Sequence, residues 1–139
     1  MEDRVRVSSG GPWEPMIGYC RAIRIGNRVV VAGTTATKGN DVVGIGDVYM
    51  QSVYVLKVIK KSLEAVGARV SDVIITRIYV TNMSNWKHVA KAHKEFFKET
   101  RPVTTIVEVT ALIDPRLLVE IEVEAVISAG LAGRPGSHC

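Results

Sequence analysis

The chain has 139 residues, 47% of them hydrophobic, with a formal net charge of +4 and a pI near 9.2. Such a length fits one domain that buries roughly two-thirds of its unfolded surface without disulfide or metal staples. No apolar run reaches the roughly 20 residues that a bilayer-crossing helix needs, and the modest positive charge permits nucleic acid or acidic ligands without demanding either.

The start, Met1-Glu2-Asp3-Arg4, lacks the apolar stretch of a secretory signal, so a soluble cytoplasmic protein with no membrane partner is expected. Arg4-Val5-Arg6-Val7 reads as an edge strand and Ser8-Ser9-Gly10-Gly11-Pro12 as a loop. Residues 19–25 and 28–34 are strand-like, and Gly26-Asn27 between them is a two-residue hairpin signal. Residues 36–46 are polar and glycine-rich and read as a loop. Asp47 caps a helix that runs to Val66, because Val48, Val55, Ile59, Leu63 and Val66 recur at helical spacing. Gly67 stops it. Residues 73–80 are rich in β-formers. Asn82 or Ser84 starts a second helix that ends near Lys98, since Pro102 blocks its continuation. Residues 104–110 and 119–127 alternate with period two and read as strands, with Asp114-Pro115 turning the chain between them. Residues 128–139 read as a disordered tail, which leaves residues 1–127 as a single domain.

The order β-β-β-α-β-α-β-β predicts an α+β fold: one sheet with both helices on one face. No helix remains for the opposite face, so self-association is the economical way to cover it. Cys20 and Cys139 are too few for a disulfide framework, and both thiols are expected to be free.

Glu120, Glu122 and Glu124 fall on one face of the last strand. Like charges at that spacing repel unless cations are near. They are read as ion-paired with arginines of neighbouring strands, such as Arg21 or Arg77, with a solvated face or one functional carboxylate as the other options. No histidine or cysteine accompanies them at metal-ligand spacing, so no metal is expected. His88 and His93 are five residues apart on the second helix. At about 100° per residue they point about 140° apart and cannot act as a pair. They and His138 read as ordinary surface or groove residues. Lys87, Lys91, Lys94 and Lys98 read as the helix's solvated stripe rather than an RNA-binding one, with Trp86, Phe96 and Phe97 as core packing. Tyr19 and Arg21 share one strand face, where a phenol beside a guanidinium can anchor a carboxylate; pairing with the Glu120 face is the plainer reading. Thr104 and Thr105 open a strand and suit packing as well as ligand binding. No Walker loop, G-x-G-x-x-G, G-x-S-x-G or H-E-x-x-H is present, which weakens nucleotide hydrolase, dehydrogenase, serine hydrolase and zinc protease readings.

Three stretches, YCRAIRIGNRVVVAG (19–33), DVIITRIYVTNM (72–83) and the segment 102–125 with its PVTTIVEV and VEIEVEA ends, resemble the RidA/YjgF family in that order. The resemblance spans roughly residues 15–127. It implies a chorismate-mutase-like fold and a homotrimer with sheets forming a central barrel, helices outside and ligand clefts between subunits. It also implies hydrolysis of reactive enamines and imines derived from amino acids to 2-keto acids and ammonia, with no metal or organic cofactor. Carried over residue by residue, the site tyrosine is Tyr19, the glutamate that positions the attacking water is Glu120, and the glycine near the ligand is Gly33. The family's carboxylate-gripping arginine is Thr104 here, its serine before the glycine is Ala32, and its helix asparagine is Ala90. Loss of a bidentate guanidinium removes a contact of about 1.5–3 kcal/mol. Arg21 is expected to substitute for it, with the Thr104 and Thr105 hydroxyls as neutral donors and backbone N–H groups near Ile106 stabilising developing charge. The expected ligand is a 2-imino or 2-keto acid. A catalytically weak metabolite-binding or regulatory trimer is the alternative, and an L-PSP-type endoribonuclease or translation inhibitor stands below both; nucleic acid is not an expected partner.

Overall fold

The computed structural model describes residues 3–128. The tail assigned to residues 128–139 lies, from 129 on, outside the described residues. The elements in chain order are β1 (Arg4–Val7), α1 (Trp13–Ile17), β2 (Ala22–Ile25), β3 (Arg28–Thr34), β4 (Thr37–Lys38), β5 (Asp41–Val42), α2 (Val48–Ala65), β6 (Val73–Val80), α3 (Trp86–Phe97), β7 (Val103–Glu108) and β8 (Val119–Val126). Single 3-10 turns precede β6 and α3.

Six strands form one sheet in the order β1-β2-β3-β8-β6-β7, antiparallel except for the β6–β7 pair. The pleat sorts β8 into two faces. Val119, Ile121, Val123 and Ala125 are buried, while Glu120, Glu122 and Glu124 lie on the other side, only partly covered. Val29, Val31, Ile78 and Val80 continue the buried face and meet Val55, Leu56, Ile59 and Leu63 of α2 and Val89, Ala92 and Phe97 of α3 in one apolar cluster. Both main helices therefore cover one face, as the alternation predicts.

Local chemistry sets the boundaries. Gly26, at φ 61°, makes the β2–β3 turn that a side chain would resist. The Asp47 carboxylate accepts the Met50 N–H at 3.0 Å, capping α2. Gly67, at φ 84°, takes the left-handed conformation just past its end. Fully buried Gln51 of α2 donates to the Gly44 and Arg116 carbonyls and accepts the Leu118 N–H. One amide thus ties two connecting segments to the helix.

Four expectations need correction. The segment before β2 is not all loop, because Trp13–Ile17 form one helical turn whose Pro15 sits in the first turn, where no N–H is needed. Tyr19 and Arg21 precede β2, which begins at Ala22; Gly18 at φ 90° and the Tyr19 N–H to Glu14 carbonyl bond redirect the chain there. The 36–46 segment carries the two-stranded β4–β5 hairpin around Gly39. Trp86 is not core: it is 47% exposed with Lys87 over its ring, while Phe97 is buried and Phe96 packs edge-on against it.

Loss of the α2 cap in Asp47→Ala is expected to cost about 1 kcal/mol. Urea denaturation should show a lower midpoint with an unchanged slope.

Candidate functional site

The β3–β8 pairing shifts register between Val31 and Thr34, so Ala32 and Gly33 form an irregularity in the ladder. Beside it stands Glu120. A Cβ built on Gly33 would overlap Oε2 of Glu120, so the absent side chain is what lets this carboxylate lie against the backbone of β3. The three glutamates of β8 then meet different fates. Glu124 accepts from Arg28 and Arg77, each at 2.8 Å. Glu122 accepts the Tyr79 hydroxyl in a short hydrogen bond. Among the described residues Glu120 has no hydrogen-bonded partner. Burial raises its pKa above the ordinary glutamate value; the Arg21 charge opposes this and the Glu122 charge adds to it.

Glu120 opens onto a cleft of about 410 Å³ that also meets Trp13, Tyr19, Arg21, Gly33 and Thr34. Arg21, 6% exposed, is held from several sides. Its Nη1 donates to the Gly33 carbonyl at 2.7 Å and to Thr34 Oγ1 at 2.9 Å. Its Nη2 donates to the Tyr19 hydroxyl at 3.2 Å. Its Nε lies 3.5 Å from Glu14 Oε2, an ion pair lacking hydrogen-bond alignment. Glu14 of α1 is 3% exposed and accepts the Ser8 and Ser9 hydroxyls at 2.8 and 2.5 Å. Burial works to raise the Glu14 pKa, but the Ser9 and Ser8 hydrogen bonds and the Arg21 charge outweigh it and hold the carboxyl below its ordinary range. Because the Tyr19 oxygen accepts from Arg21, the phenol's own proton is left to donate elsewhere.

The structure thus gathers Tyr19, Arg21, Gly33 and Glu120 in one place. It does not bring Thr104, Thr105 or Ile106 to them within the chain. These lie on edge strand β7, two strands from β8 and roughly 10 Å across the sheet. Thr104 Oγ1 is 2.7 Å from Thr76 Oγ1 and 3.4 Å from Nε2 of His93, which also pairs with Thr76 at 2.9 Å. Burial lowers the His93 pKa below its ordinary value. Of the anticipated ion pairs, Arg77 with Glu124 forms, whereas Arg21 pairs with Glu14. Sequence reasoning passed over Glu14; its one signal is a lone acidic residue between Trp13 and Pro15, seven positions before Arg21. No group of three His, Cys, Asp or Glu able to hold a metal occurs among the described residues, and no helix there is long and apolar enough to cross a membrane.

The sheet, its two main helices and this cleft define a small α+β domain of the YjgF kind. The model of the family described as Endoribonuclease L-PSP matches residues 12–127. The chain belongs to this family, the RidA/YjgF family. An uncharacterised Streptomyces coelicolor protein is 43% identical over 86% of this chain and 90% of its own length. The 3-aminoacrylate deaminase RutC of Acinetobacter baylyi is 31% identical over 87% of this chain and 95% of its own. The crystal structure of a YjgF/YER057c/UK114-family protein from Mycobacterium tuberculosis superposes with a TM-score of 0.82 at 47% identity, covering 90% of this chain and all of that one. The family therefore includes a deaminase.

Two outcomes are expected. Gly33→Ala should fold, because the overlapped atom is the end of a flexible side chain, yet displace the Glu120 carboxylate. Carbon-13 NMR should then find Glu120 titrating closer to an ordinary glutamate. Since burial raises the Glu120 pKa, its ionisation costs the folded state; the cost is absent below the unfolded-state pKa and appears as pH rises through the folded one. Glu120→Gln should therefore raise Tm at pH 8 and leave it unchanged at pH 3.5.

Proposed function

We propose that the protein is a hydrolytic deaminase of reactive enamines or imines, working as a homotrimer with Glu120 and Tyr19 as catalytic residues. The observation that supports this most is the Glu120 carboxylate: half-buried, without a hydrogen-bonded partner among the described residues, and facing a cleft beside a phenol and a guanidinium. Burial raises its pKa, which makes the carboxylate a stronger base than a solvated glutamate.

In this reading Glu120 takes a proton from a bound water as the water oxygen bonds to the C=N carbon. The π pair moves to nitrogen, giving a tetrahedral carbinolamine. Glu120 then returns the proton to nitrogen, the hydroxyl proton is passed to the same nitrogen as the C=O bond forms, and the C–N bond breaks with its electron pair leaving on ammonia. Imine plus water yields carbonyl compound plus ammonia. The Tyr19 proton, not committed to Arg21, supports the departing or attacking heteroatom. Gly33 keeps Glu120 in place. Arg21 fixes the phenol and the β3 irregularity rather than presenting a free fork to the ligand.

The homotrimer is part of the proposal. Val30 and Val107 are exposed on the face opposite the helices, and Thr104, Thr105 and Ile106 on the free edge of β7 would join the Glu120 cleft from a neighbouring subunit. A binding or regulatory trimer is the second reading, favoured by Ala32, Ala90 and Thr104 at three site positions. RNA cleavage has less support, since His88 is exposed and His93 is turned into its Thr76 pair.

Light scattering should give three times the 15.2 kDa chain mass. Glu120→Gln should slow ammonia release from an enamine or imine generated in the assay by about 100-fold or more, within the range for general base loss. A wild-type rate equal to buffer would leave the binding reading in its place.

A further inference from the structure

The charge balance of the cleft carries a statement about its ligand. Among the described residues of one chain that line the 410 Å³ space, Arg21 and Glu120 are the charged ones. Behind Arg21, and out of the cleft, lies the buried Glu14 carboxylate, 3.5 Å from Nε. One guanidinium therefore faces two carboxylates. Glu122, in the adjoining hollow that Glu120 also lines, adds a further negative charge.

The donor count points the same way. A guanidinium has five N–H groups in a rigid fork. Nη1 is spent on Gly33 and Thr34, and one Nη2 hydrogen on Tyr19. Nε is buried on the Glu14 side, 3.5 Å from that carboxylate and away from the cleft. A single Nη2 hydrogen is left, whereas a bidentate grip on a carboxylate needs two parallel ones. A carboxylate entering this cleft would meet Glu120 without an uncompensated cation to hold it. An amide, a ketone or a protonated imine would meet no such repulsion and would satisfy the same hydrogen.

We infer that Glu14 is a specificity-determining residue: by neutralising Arg21 from behind, it makes the cleft select an uncharged or cationic carbonyl or imine compound over a 2-imino or 2-keto acid. This rests on the reading of the Glu120 cleft as the ligand site. Glu14 acts through Arg21 and does not touch the ligand.

The test is calorimetric titration of the full-length protein, in its native assembly at pH 8, with 2-oxobutanamide and 2-oxobutanoate, which match in shape and differ in charge. The amide should bind at least ten times more tightly. Equal binding, tighter binding of the acid, or binding of neither would overturn the inference. Glu14→Gln keeps the serine hydrogen-bond acceptor but releases the Arg21 charge, and should improve acid binding at least fivefold with little change for the amide. An unchanged ratio in a folded variant would overturn it. Should Glu14→Gln fail to fold, Glu120→Gln removes the other negative charge and must narrow the same gap. Hydrolysis is followed in parallel with imines made in the assay from propylamine by an amine oxidase and from 2-aminobutanoate by an amino-acid oxidase. Greater acceleration of the acid-derived imine overturns the inference and leaves the deaminase reading standing. Acceleration of neither, with the amide still preferred, removes the deaminase reading and leaves the charge assignment in place.

Discussion

The pleat of β8 is the constraint on which both the core and the cleft depend. As a central strand hydrogen-bonded to β3 and β6, it must send alternate side chains to opposite faces. Val119, Ile121, Val123 and Ala125 seal the sheet against the helices, so Glu120, Glu122 and Glu124 have no choice of side. A one-residue slip would bury three carboxylates under α2 and expose the core. Register is thus fixed by the cost of charge burial as firmly as by apolar contact. The row of charges is then resolved unequally. Two arginines neutralise Glu124 and a phenol serves Glu122, which leaves Glu120, at the irregular end of β3, without a hydrogen-bonded partner among the described residues.

That end of the strand is shaped from outside the sheet. Arg21 reaches the Gly33 carbonyl and Thr34 hydroxyl, so it props the point where the β3–β8 ladder loses register. Arg21 is in turn held by Glu14, which the serines before α1 cradle. A buried ion pair adds little to stability relative to apolar packing, because desolvating both partners offsets their attraction. Its value here is geometric. The pair couples the N-terminal segment to the cleft, so β1, the serine loop and α1 belong to the site's scaffold although only Tyr19 and Arg21 among the nearby residues were conspicuous as chemistry.

The sequence made the periodic parts legible. The apolar positions of α2, the Gly26 turn, the Asp47 cap and the β8 alternation are all local signals, and local signals survive folding. What escaped was the short and the long-range. Trp13–Ile17 is a single turn interrupted by Pro15, too brief to show a helical period. The β4–β5 hairpin pairs two residues per strand, below the length at which alternation is visible. Trp86 looked like core because it is large and apolar, yet it stands at the first residue of α3 with its ring outside the buried stripe. Glu14 and Arg21 are seven positions apart with an irregular turn between, and no spacing rule connects them. Gathering Tyr19, Gly33 and Glu120 required the fold, because the bulge that joins them is a property of two strands at once.

Position 104 makes a related point about charge. Where the family resemblance calls for an arginine, Thr104 instead closes a neutral cluster with Thr76 and His93. The imidazole packs against Phe97, with ring centroids 4.6 Å apart, and burial disfavours its protonated form. A neutral ring hydrogen-bonded to hydroxyls can orient a polar group but cannot replace a guanidinium. Neither place offers a free cation: Thr104 carries no charge, and the charge of Arg21 is answered by Glu14. Among the described residues the Glu120 carboxylate is thus the charge of the cleft that no ion pair answers, so the space beside Tyr19 keeps a negative rather than a positive balance.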